Sequence, residues 1–168
     1  MFRPLQFRMP TIIALIVCIS APTIAGETVS MKGSFKGNYT TVLEQVSPPV
    51  FSATGTAYGT INHFGKASVT VSLVTTQDSS GLWVPVPNSS FGTLTAANGD
   101  QIIGIYHWHT APAGPTVISI FGTFTASSGT GRFAGANGQG TFTGSIDILT
   151  GDFSGSLDGD ITSVGSSH

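Results

Sequence analysis

Charge is the first thing this sequence is short of. Asp, Glu, Lys and Arg make up 8% of its 168 residues, against roughly a quarter in an ordinary soluble domain. Beyond residue 25 there are four cations, Lys32, Lys36, Lys66 and Arg132, against eight acids, which leaves a net charge of −4. So sparse and scattered a positive charge excludes the basic face that nucleic acids require. It equally excludes adhesion to anionic membranes. Cysteine is nearly missing as well: Cys18 is the single one, near the N-terminus. A domain built from the residues after it has no disulfide, no thiolate metal site and no cysteine nucleophile. No apolar run approaches the roughly 20 residues of a membrane-spanning helix, and no stretch carries the helical period with caps.

The longest apolar stretch is near the N-terminus. Arg3 and Arg8 precede an apolar segment, Thr11 to Ser20, followed by small residues with Thr23 and Ala25 at the positions a signal peptidase reads. This is the layout of a cleavable signal peptide. The expected division is therefore a signal peptide over 1–25 and one domain over 26–168, secreted or periplasmic.

Glycine, serine and threonine stand where charge is lacking, and the apolar residues alternate with them. Thr141–Ile148 places Phe142, Gly144, Ile146 and Ile148 on one face. Asp152–Thr162 does the same with Phe153, Gly155, Leu157, Gly159 and Ile161, and Leu149-Thr-Gly151 joins the two as a hairpin. Strands are also expected over Val29–Tyr39, Phe51–Ile61, Ala67–Thr76, Leu82–Val86, Phe91–Ala97, Gln101–His109 and Val117–Ala126, separated by Gly, Pro, Asn and Asp. Glycines recur on the apolar face at Gly55, Gly59, Gly104, Gly122, Gly144, Gly155 and Gly159. In-strand glycine suits sharply bent strands or close approach, so the pattern favours a small closed barrel over a flat sandwich.

One segment is distinctive. Ser128-Gly-Thr-Gly-Arg-Phe-Ala-Gly-Ala-Asn-Gly-Gln139, followed by Gly140-Thr-Phe-Thr-Gly144, resembles the S-G-x-G-x-F-x-G-A-x-G signature of the allene oxide cyclase-like and dirigent-like barrels. Thr93 to Gln101 and the turn Ile61-Asn-His-Phe-Gly-Lys66 resemble segments of bacterial secreted relatives. The resemblance covers about residues 30–164. It implies an all-β fold: a closed antiparallel eight-stranded barrel, calycin-like and allene oxide cyclase-like, with an apolar cavity. Gly129 and Gly131 permit positive φ in the entry turn, Phe133 is expected to plug the barrel end, and Arg132 to lock the turn by bonding carbonyls or pairing with an acid, or else to clamp an anion or substrate. The plant cyclases use a glutamate, an asparagine and a cysteine within the cavity. Here no cysteine follows residue 25, and Glu27 and Glu44 match no such motif.

The candidate chemistry is modest. His107 and His109 share one face of a strand, about 7 Å apart, a spacing that suits zinc or copper. The glycine series instead turns Ile102, Gly104, Tyr106 and Trp108 inward and both histidines outward beside Ile103 and Ile105, so no metal site is predicted. Such a face would suit a subunit contact. His63, in its turn, and Glu44 are the candidate catalytic residues; either one buried in the barrel would indicate an isomerase or cyclase. Tyr58, Phe64, Tyr106, Trp108 and Arg132 are the candidate ligand-binding residues, and Trp83 adds aromatic bulk. With no complete catalytic set and no cofactor motif, the sequence is read as an exported barrel that binds a small apolar molecule or serves as an interaction module. A cyclase or isomerase and a structural surface module are the alternatives.

Overall fold

A computed structural model describes residues 27–47, 50–79, 83–87 and 89–163; of these, the side chains of 40–47, 83 and 163 are not described. The N-terminal segment read as a signal peptide lies outside the described residues. The described chain is almost entirely strand: β1 Glu27–Ser47, β2 Val50–Ile61, β3 Gly65–Gln77, β4 Trp83–Pro85, β5 Phe91–Ala96, β6 Gln101–Pro112, β7 Val117–Gly129, β8 Asn137–Asp147 and β9 Asp152–Ser163. A single 3₁₀ turn, Gly131–Phe133, interrupts them.

All pairings are antiparallel, and β9 returns to β1 with Glu27 opposite Ser163 and Asn38 opposite Asp152. The sheet therefore closes on itself as an eight-stranded barrel. Eight staves arise from nine strands because β4 and β5 share one stave. β2 covers one edge of β3, while β5 pairs with the first half of its other edge (Ser72 opposite Phe91) and β4 with the second (Thr75 opposite Pro85). Pro85 and Pro87 have no N–H to give a ladder, which favours a break here. Between the two strands the Ser89 hydroxyl donates to the Val86 carbonyl at 2.6 Å.

The expected alternation holds around the barrel, except that Ile148, expected on the inward face, lies in the turn beyond β8 and is exposed. Met31 and Phe35 on β1, Ala57 and Ile61 on β2, Leu94 on β5, Ile102 and Trp108 on β6, Phe124 on β7 and Ile161 on β9 are all buried. Their hydroxylated and charged neighbours face outward. The buried side chains form two clusters. The larger contains Met31, Phe35, Ile61, Phe64, Phe124 and Phe133; the smaller contains Leu73, Trp108 and Ile120. Tyr106 and Phe153 pack against both.

One end of the barrel is plugged by stacked rings. Phe64, from the β2–β3 turn, lies on Phe133, from the 3₁₀ turn, with centroids 4.3 Å apart and planes within 10°. Arg132 caps them, its guanidinium carbon 4.7 Å from the Phe133 centroid, and its Nε lies 3.5 Å from Oδ2 of Asp100. Gly131 takes φ +56° beside the Asp100 carboxylate, where a Cβ would collide with Oδ1. Gly129 does not take a positive φ; its constraint is close approach of the Phe133 and Gln101 carbonyls.

Candidate functional site

Between the two clusters the barrel holds a partly open cavity of about 100 Å³. Phe35, Val71, Leu94, Tyr106, Phe142 and Phe153 are among the side chains that line it. Among the described residues no carboxylate, imidazole or cation lines it. Its polar lining residues are Asn38, Thr56, Thr143, Ser156 and two phenols, Tyr39 and Tyr106. Tyr106 comes from the inward face of β6 and Tyr39 from β1. Burial alone pushes both hydroxyls from 10.0 up to about 12, because a phenolate in a carbon-lined space loses its hydration.

Tyr106 is held from three sides. Its backbone N–H donates to the Ser90 carbonyl at 3.0 Å. Its ring lies over Gly92 on the neighbouring β5, where a Cβ would overlap Cε2. The Phe142 ring meets it edge-on at 5.6 Å and Phe124 tilts against it at 6.3 Å. Ser90 also accepts the indole N–H of Trp108 on its hydroxyl at 3.0 Å, so one residue in the β4–β5 break fixes two neighbouring inward side chains of β6. Sequence reasoning missed Ser90 and Gly92, because both depend on which strand neighbours β6.

The candidate ligand-binding residues separate into three groups. Tyr106 and Trp108 line the cavity. Phe64 and Arg132 form the plug and do not line it, so Arg132 takes the turn-locking role: its chain N–H also donates to Asp100 at 3.4 Å. Tyr58 is 67% exposed on the outer face of β2, because its even-numbered position on that strand points away from Ala57 and Gly59. Trp83 has no described side chain.

His63 is exposed in the turn beside the plug, with φ +66°, a conformation histidine adopts more readily than most residues. It does not line the cavity. The backbone of Glu44 lies on β1 opposite Ser52, and its side chain is outside the described residues. His107 and His109 are exposed on the outer face of β6, as the glycine series predicted. His109 packs its ring 6.0 Å from that of Phe121, its cross-strand partner. Among the described residues no group of three or more His, Cys, Asp or Glu is placed to share a metal ion.

What the arrangement can do chemically follows from its lining. It can exclude water, accept a small apolar body and offer it hydroxyl groups, but it brings no group that titrates near neutrality to the cavity. Comparison with known protein families, with characterised proteins and with solved structures finds no match.

Proposed function

We propose that this protein is an exported barrel whose interior binds a small apolar molecule. The observation that carries the reading is the carbon-lined cavity of about 100 Å³ between the two core clusters. Well-packed interiors leave few voids larger than a water molecule, and apolar cavities of about 150 Å³ stay dry and take up benzene or xenon. The cavity is smaller than the roughly 300–1,000 Å³ of sites for drug-sized ligands, so the occupant has the bulk of a single ring. The N-terminal arginines, apolar segment and small residues support export.

The test is calorimetric titration of the folded protein with benzene, together with Val71→Phe, which puts a ring into the cavity from β3. The reading expects saturable binding to the parent protein and its loss in a variant that still unfolds cooperatively. Equal binding to both would place the site elsewhere, and no binding to the parent would defeat the reading.

A further inference from the structure

The Tyr106 hydroxyl is a deep polar atom with nothing to bond. Among the described residues it has no hydrogen-bond partner, although its backbone N–H and its ring are both fixed. Nor is it sealed in protein. The sealed, unpartnered polar side-chain atom among the described residues is Thr75 Oγ1, whereas Tyr106 keeps accessible surface and lines the cavity. Part of that surface therefore faces the cavity it lines.

Natural interiors rarely leave a buried donor idle, since desolvating it without a partner costs about 1–3 kcal/mol. A phenylalanine here would supply the same packing against Gly92, Phe142 and Phe124 without that cost. From this geometry we infer that the Tyr106 hydroxyl donates a hydrogen bond to the ligand, and that the ligand is an uncharged, ring-sized molecule carrying one acceptor oxygen, such as a ketone or ether. The inference rests on the reading of the cavity as a binding site. The absence of charge follows from the lining, where an ion would lose its hydration and meet no counter-charge. The bond inferred uses the phenol's O–H, a donor that burial keeps in place by holding the group protonated up to about 12.

Two ligands of one shape separate the hydrogen bond from simple filling: cyclohexanone, with an acceptor oxygen, and methylenecyclohexane, with CH₂ in its place. Their association constants are measured by calorimetry for the parent, Tyr106→Phe, Tyr39→Phe and Tyr58→Phe, the last carrying its change on the outer face, with benzene as the reference occupant. The ratio of ketone to alkene binding is expected to fall about three- to tenfold in Tyr106→Phe, the range a single neutral hydrogen bond spans. In Tyr58→Phe it is expected to stay at the parent value. An unchanged ratio in Tyr106→Phe overturns the inference, and so does a fall confined to Tyr39→Phe. In both cases benzene binding leaves the cavity reading standing, whereas failure of benzene itself removes that reading.

Discussion

Ser90 shows how much one small polar residue can determine. Its carbonyl takes the Tyr106 N–H and its hydroxyl the Trp108 indole, both at 3.0 Å, and the residue is 1% exposed. Ser90→Ala keeps the first bond and orphans a buried N–H. The cost expected is about 1–3 kcal/mol of stability, read from the denaturation midpoint at an unchanged slope. A loss below about 0.5 kcal/mol would mean that the indole finds another acceptor. Nothing in Pro87-Asn-Ser-Ser90 marks this role in the sequence; it exists because the strand breaks opposite β6. Arg132 was more legible. As the lone arginine after residue 25, in a glycine turn before a phenylalanine, it reads as a lock of that turn, through carbonyls or an acid, or as a clamp, and the structure pairs it with Asp100. Tyr58 is the opposite case: residue type suggested a ligand contact, while its parity on β2 already turned it outward.

At the scale of strands, the alternating pattern settled which side chains point inward, yet the reason for the repeated glycines became visible only with the register. On β8 and β9, Gly140 faces Gly159 and Gly144 faces Gly155. An aromatic ring lies on each pair: Phe124 over the first and Phe153 over the second. The glycines are thus beds for rings that fill the barrel, a use more specific than accommodating its bend. A Cβ on Gly159 would approach the Gln139 carbonyl and the Gly140 Cα, both at 2.6 Å. Gly159→Ala is therefore expected to destabilise by about 1–3 kcal/mol through overpacking. Asp160→Ala, one residue along on the exposed face, should stay within about 0.5 kcal/mol. Comparable losses in the two variants would refute the account of the ring beds. The count of strands was legible in the same partial way. Leu82–Val86 and Phe91–Ala97 read as two strands, and only the shared edge of β3 makes them one stave.

For the whole molecule, closure into eight staves was within reach of the sequence because period two, turn residues and in-strand glycine all favour a barrel. The cavity was not. Its volume is the small difference between the space inside the barrel and the side chains that enter it, and a sequence reports only the second quantity. Two clusters meeting through Tyr106 and Phe153 leave that difference between them. The most direct test of a dry, enterable interior is X-ray diffraction from crystals held under xenon. The account predicts a xenon atom inside the barrel, within contact of Tyr106, Phe142 and Phe153. Ordered water filling that space, or xenon bound only on the outer surface, would contradict it.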